Sequence, residues 1–132
     1  ARARLIARIH DVYLARASSA LFRNLNPARR DEAAVNSAKA AAEAGFGYLE
    51  HFVVATPFAA GNQLSLADCA LLPTFVLLRK TAFPAFGLSD PSAGTGALGR
   101  WFAACQADPL TGAFMQEYSA AVDAFLKMLA GK

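Results

Sequence analysis

The 132 residues are enough for one domain with a hydrophobic core and too few for two typical domains. Hydrophobic residues make up 55% of the sequence and charged residues only 17%, which excludes an intrinsically disordered chain. The net charge of +3 arises in the first thirty residues, where seven arginines accompany a single acidic residue, Asp11. Because these arginines are scattered around one otherwise apolar helix, we expect solvated helix faces or an anionic partner surface, and no nucleic-acid binding.

Two long helices are predicted for the first part of the chain. Alanine, the residue with the highest helix propensity, occupies 31 positions. Apolar residues recur at three- and four-residue spacing over residues 3–23, and Pro27 lies in the break that follows. The second helix is predicted over about residues 31–54, with Gly45 and Gly47 in its middle, where we expect a bend or a close helix contact. The short connection predicts an antiparallel pair.

A third helix, over about residues 65–81, is apolar on nearly every side and is therefore predicted to be buried all round. Pro73 should kink this helix. Cys69 lies inside it, so its expected role is that of a small core residue. The following segment, residues 83–96, is rich in Pro, Gly and Ser and is predicted to be a long loop.

The last two predicted helices span residues 97–107 and about 111–129. Cys105 lies in the first of them, and we expect it to be buried, with an exposed reactive thiol as the alternative. Two cysteines form neither a metal site nor a disulfide framework, which suits a reducing, cytoplasmic location. No apolar run is long enough to cross a membrane. Three aromatic residues at helical spacing near the C-terminus are predicted to pack in the core: Phe114, Tyr118 and Phe125.

The most specific motif lies within residues 61–70. Ser65 and Asp68 have the spacing of a capping box, in which the Ser65 hydroxyl accepts from the Asp68 N–H and the Asp68 carboxylate accepts from the Ser65 N–H. Leu64 is placed to pack against the side chain of Cys69 as a hydrophobic staple. A carboxylate inside so apolar a helix would be costly without such hydrogen bonds. The sequence therefore predicts that the central helix begins here.

This motif resembles the capping box of the glutathione S-transferase family, where Gly and then Ser/Thr-x-Ala-Asp open the buried central helix of the C-terminal domain. Other stretches are similar to the family in the same order, with bacterial members nearest in character: residues 2–14, residues 57–61, Pro73, and Leu98-Gly99-Arg100-Trp101. The resemblance covers nearly the whole chain. It implies an all-α domain over residues 1–132, a bundle of about five helices around the capped central helix.

The resemblance also implies that two domains share the function of the whole protein. In the family, a preceding thioredoxin-like domain binds glutathione and activates its thiol, and no such unit is present in this sequence, which begins with Ala. We therefore expect a fragment that holds no catalytic residue and no metal. It would supply the pocket for a hydrophobic electrophile and part of a homodimer interface, with glutathione as co-substrate and detoxification as the biological role.

Candidate pocket residues lie on one stripe of the first helix: His10, Tyr13, Leu14 and Ala17. Because imidazole is the side chain that changes charge closest to neutral pH, a histidine at position 10 would be useful in a cleft, and a surface histidine beside Asp11 is the alternative. Asp11 is expected to contact the amino group of glutathione across a dimer, as an acidic residue on this helix does in several classes of the family. Tyr13 has a core or interface role as its alternative.

Two further functions remain open from the sequence. Similar domains serve as non-catalytic docking modules in translation and scaffold assemblies. Others resemble stringent-starvation regulators, which keep the fold without glutathione chemistry. A preceding thioredoxin-like segment with a cis-Pro loop and a Ser, Cys or Tyr near its start would favour the enzyme over both alternatives.

Overall fold

The computed structural model describes residues 1–131, which form six helices and no β-strand. Helix α1 covers residues 2–23. It is followed along the chain by α2 (Glu32–Phe52), α3 (Leu66–Lys80), α4 (Ala82–Phe86), α5 (Ala97–Ala107) and α6 (Pro109–Ala130). Short 3₁₀ turns occur at Pro27–Arg29 and Pro91–Ala93. The predicted all-α class is confirmed, and no helix in the described residues is both long and apolar enough to span a membrane.

Helix α1 is continuous but not uniform. Its α-helical ends, Arg2–Ile9 and Arg16–Arg23, are joined by a π-helical stretch, His10–Ala15. Such π-helical turns are rare in proteins, and many of those that occur lie at functional sites. Apolar spacing alone predicted one regular helix, because a single wide turn changes the direction of the side chains without interrupting their pattern.

Helix α2 packs against α1 through a glycine. A Cβ atom at Gly45 would lie 2.8 Å from Cβ of Tyr13, so only glycine allows this approach of the two helices. At Gly47 a Cβ atom would meet nothing within 4 Å. The expected close contact in the middle of α2 therefore exists, and it involves the first of the two glycines. Asp31 begins α2 by accepting a hydrogen bond of 3.1 Å from the N–H of Ala34.

Helix α3 is the central helix, and seven of its 15 residues are buried. The prediction that it is buried all round is wrong at its first turns, where Leu66 and Cys69 are exposed. Cys69 is therefore not a core residue, and the prediction that it is one is wrong. The helix runs through Pro73 without interruption.

The segment predicted as a loop, residues 83–96, contains the short helix α4 and a 3₁₀ turn. Phe83 is buried, and its ring contacts that of Phe46 edge-on with the centroids 5.9 Å apart. Gly87 ends α4 in the left-handed conformation, at φ 64°. The helix is held by this tertiary packing, since five residues are too few to form a stable helix alone.

Asp108 joins the last two helices, because it ends α5 and caps α6 through the N–H groups of Leu110 and Thr111. Helix α6 thus begins two residues earlier than predicted, with Pro109 in its first turn, where proline is tolerated. Only one side of α6 is buried. Phe114 and Phe125 are 39% and 43% exposed, so the prediction that they lie in the core is wrong. Helical spacing placed them on one helix but did not show whether another element covers them.

Candidate functional site

Asp68 is the centre of a buried hydrogen-bond network at the start of α3. Its Oδ2 accepts from the N–H of Ser65 at 2.9 Å, and the hydroxyl of Ser65 accepts from the N–H of Ala67 at 3.3 Å. The predicted capping box is therefore present. The other carboxylate oxygen, Oδ1, accepts from the N–H of Ala59 at 2.9 Å and from Nε1 of Trp101 at 2.8 Å.

These last two contacts extend the box beyond α3. Through Ala59, Asp68 holds the loop between α2 and α3, and through Trp101 it holds α5. Asp68 and Trp101 are fully buried, so their polar groups satisfy each other away from water. The sequence motif did not predict this pair, although a buried acid and an indole N–H each require a partner.

His10 lies at the start of the π-helical stretch of α1 and is nearly buried. Its Nε2 is 2.6 Å from Oγ1 of Thr74 on α3, and its Nδ1 is 3.0 Å from Oδ1 of Asp11. Nδ1 can donate to the carboxylate of Asp11, and Nε2 shares a hydrogen bond with the Thr74 hydroxyl, which also lies 3.4 Å from the carbonyl oxygen of Ala70. The ring is thus engaged on both sides, while the carboxylate of Asp11 is exposed.

The other predicted pocket residues lie at different depths. Tyr13 is half-buried beside α2, with its ring tilted against Tyr48 and the centroids 5.1 Å apart. The neighbouring Tyr48 raises the pKa of Tyr13, first through charge repulsion and then through their hydrogen bond. Leu14 and Ala17 lie in the core of the domain. The structure therefore brings His10 and Asp11 together at a surface, with Tyr13 nearby, and leaves Leu14 and Ala17 no exposed surface for a ligand.

Three cavities open between the helices. The first, of about 510 Å³, lies between α1, α3 and α6. The second, of about 460 Å³, lies between α3, α5 and α6, and the third, of about 250 Å³, lies where the start of α3 faces the start of α6. None of them is lined by His10, Tyr13, Leu14 or Ala17.

Comparison with protein families gives one match, to the glutathione S-transferase C-terminal domain, over residues 28–104. This is more than half of the chain. The chain belongs to this family. No curated protein and no solved structure matches it.

The matched part of this glutathione S-transferase C-terminal domain contains the whole Asp68 network, including Ala59, Ser65 and Trp101. It does not include α1, which carries His10, Asp11 and Tyr13, or α6. Family membership therefore accounts for the architecture of the domain. The roles of the residues on α1 rest on their own geometry.

The two cysteines of the glutathione S-transferase domain differ in environment. Cys69 is exposed and lines the 250 Å³ cavity together with Leu64, the residue predicted to staple onto it. Cys105 is buried in the core, and its burial raises the pKa of the thiol to about 12, with a further contribution from the nearby Asp68. The expectation that Cys105 is buried is confirmed.

Proposed function

We propose that this domain is the electrophile-binding and dimer-forming half of a glutathione transferase. A thioredoxin-like domain would supply the glutathione site and the residue that activates the thiol. The complete protein would then attach glutathione to small hydrophobic electrophiles, a detoxification reaction. The family match over residues 28–104 carries this proposal. No residue of this domain is assigned a catalytic role.

Asp11 is the residue of this domain that we propose contacts glutathione. Its carboxylate is exposed and can accept hydrogen bonds from an ammonium group, a charge-assisted contact. His10 is proposed as a positioning residue, because its Nδ1 contacts Oδ1 of Asp11 while Thr74 holds its other nitrogen. The buried imidazole would limit the rotation of the Asp11 side chain and so reduce the entropy that glutathione binding must overcome.

Tyr13 is the proposed contact for the hydrophobic electrophile on this side of the domain. It is half-buried, follows Asp11 by two residues, and offers a ring face together with a hydroxyl. Leu14 and Ala17 are not part of this proposal, since both lie in the core.

A homodimer is proposed through α1 and α2. Three large hydrophobic residues on these helices are exposed: Leu5, Val12 and Tyr48. Leu5 lies before the π-helical stretch of α1 and Val12 lies within it, while Tyr48 lies on α2, which packs against α1. Exposed large apolar side chains on neighbouring helices are typical of a surface that another protein covers.

The test uses the full-length protein, including the sequence that precedes this domain. We expect it to be retained on immobilised glutathione, to turn over a chlorinated dinitrobenzene, and to sediment as a dimer. Asp11→Asn should raise the KM for glutathione about tenfold with little change in kcat, the loss expected for one hydrogen bond to a charged group. His10→Gln should raise the same KM by a smaller factor. Glu43→Gln, which removes an exposed carboxylate on α2, is the matched control and should change neither constant.

Each result bears on a separate part of the proposal. Neither retention nor turnover in the full-length protein would contradict the transferase and favour a non-catalytic interaction module. Turnover with an unchanged KM in Asp11→Asn would refute the role of Asp11 alone. A fall in kcat with an unchanged KM in His10→Gln would show that His10 does not act through Asp11.

A further inference from the structure

The 250 Å³ cavity at the start of α3 is small, and its walls are mostly apolar. They come from the loop before α3, from α3 itself and from α6: Leu64, Leu72, Pro73, Leu110 and Phe114. Three of these side chains are exposed, so the apolar surface continues from the cavity to its mouth: Leu64, Leu110 and Phe114. An apolar cavity of about 150 Å³ is enough to bind one benzene ring. This cavity therefore has room for an aromatic group of one or two rings.

The polar groups in the walls already have partners within the protein. Both carboxylate oxygens of Asp68 accept hydrogen bonds from N–H groups of the domain. The Thr111 hydroxyl donates to the carbonyl oxygen of Cys105 at 2.6 Å. Cys69 also lines the cavity, and a sulfur atom packs favourably against aromatic rings. A ligand in this cavity would therefore be held by contacts with its ring and not by hydrogen bonds to the walls.

The charged residues around the cavity are all acidic. Residues 62–73 and 108–117, which supply its walls, contain no lysine, arginine or histidine and three acidic residues: Asp68, Asp108 and Glu117. Glu117 is exposed, lies three residues beyond Phe114 on the same side of α6, and takes part in none of the ion pairs within residues 1–131. A basic side chain lines each of the other two cavities. The electrostatic potential at the 250 Å³ cavity therefore favours a cation over an anion.

The geometry points to a binding site for a small aromatic amine. Its ring would lie in the cavity beside Phe114 and the sulfur of Cys69, and its ammonium group would lie at the mouth, where it donates to the carboxylate of Glu117. Phe114 and Glu117 are about one helical turn apart, roughly 5 Å, which is a distance that an ethylamine side chain can span. Binding there makes and breaks no bond and does not depend on the proposed transferase activity.

The test compares three probes that have the same indole ring and differ in charge: the cation tryptamine, uncharged indole, and the anion indole-3-acetate. The readout is the rate at which iodoacetamide alkylates Cys69 in the full-length protein, measured by mass spectrometry of the peptide that contains it. Because Cys69 is exposed and lines the cavity, a bound ring should shield its thiol. We expect tryptamine to give half-maximal protection at a concentration about tenfold lower than indole-3-acetate, with indole between them.

Two variants separate the contribution of the ring from that of the charge. Phe114→Ala should reduce protection by all three probes, because it removes part of the apolar wall. Glu117→Gln should weaken protection by tryptamine about two- to fivefold, as expected for an exposed ion pair, and leave protection by indole unchanged. The matched controls are Phe125→Ala, an exposed phenylalanine of α6 at another cavity, and Glu43→Gln, an exposed carboxylate on α2. Both controls should behave like the parent protein.

Four outcomes would overturn the inference. If no probe slowed the alkylation of Cys69, the cavity would not bind an aromatic ring. Equal protection by the three probes would refute the preference for a cation. Protection that is lost in Phe125→Ala but kept in Phe114→Ala would mean that the ring binds at the other cavity. An equal loss in Glu43→Gln and Glu117→Gln would show that the overall charge of the protein attracts tryptamine. Unchanged far-ultraviolet circular dichroism of Phe114→Ala and Glu117→Gln would show that their effects are local.

Discussion

Replacing Asp68 by alanine should be among the most damaging single changes in this domain. The substitution removes the acceptor for the N–H groups of Ala59, Ser65 and Trp101. Ala59 and Trp101 are fully buried, and each buried donor without a partner costs about 1–3 kcal/mol. Losing the cap of α3 costs about 1 kcal/mol more. The free energy of unfolding should therefore fall by about 3–7 kcal/mol, a large part of the 5–15 kcal/mol typical of a whole domain.

The lower end of this range applies if water replaces the carboxylate. Asp68 also lines the 250 Å³ cavity, so a water molecule has a route to the vacated position. Such a water can accept at most two hydrogen bonds, so at least one of the three N–H groups would remain without a partner. We therefore expect the loss to remain well above that of a simple cap removal.

The assay is urea unfolding followed by the fluorescence of Trp101, the only tryptophan in the chain, and by circular dichroism. Ser65→Ala, which removes only the hydroxyl contact of the cap, should cost about 1 kcal/mol. The loss of unfolding free energy in Asp68→Asn should lie between those of the two variants. The carbonyl oxygen of the asparagine can accept hydrogen bonds from Ala59 and Trp101, while its amide NH₂ group faces the N–H of Ser65. If Asp68→Ala lost no more stability than Ser65→Ala, the bridge from α3 to Trp101 would contribute nothing, and the reasoning would be refuted.

Two other predictions follow from the packing. Gly45→Ala should destabilise the domain by about 1–3 kcal/mol, because the new methyl group would collide with Tyr13. Gly47→Ala should instead stabilise it by about 0.5–1 kcal/mol, since alanine favours a helix over glycine and no atom lies in its way. Equal effects of the two substitutions in urea unfolding would contradict the packing of α1 on α2. At about pH 8 an alkylating reagent should modify Cys69 in the folded chain and reach Cys105 only after unfolding, since burial keeps that thiol protonated. Mass spectrometry of the digested product would show the opposite order if Cys105 were accessible.

The predicted fold was largely correct because its strongest signals are local. Apolar spacing located both long N-terminal helices, and the spacing of Ser65 and Asp68 located the start of the central helix, which the structure places at Leu66. Helix α4 was missed because its stability comes from Phe83 packing on Phe46, a contact between residues far apart in sequence. Pro and Gly at that segment indicated a loop, and tertiary packing prevailed over the local preference.

The candidate site was predictable only in part. The pair of His10 and Asp11 was recognised from its residue types, but its link to Thr74 joins residues 64 positions apart and has no signature in either segment. The pocket stripe on α1 was predicted as one surface, yet Leu14 and Ala17 are buried in the core while Tyr13 is only half-buried. The π-helical turn begins within this stripe, so the regular 3.6-residue period could not assign its side chains to the correct faces.

By itself the sequence determined the all-α class, the family and the cap of the central helix, because helix periodicity and capping depend on residues that are neighbours in the chain. Only the tertiary structure decided which sides of those helices are covered. It buried Trp101 against Asp68, left Cys69 and Phe125 exposed, and set Arg23 beside an apolar cavity. The physical reason is that a side chain is buried only when another element packs over it, and the sequence of one helix does not show which element that is.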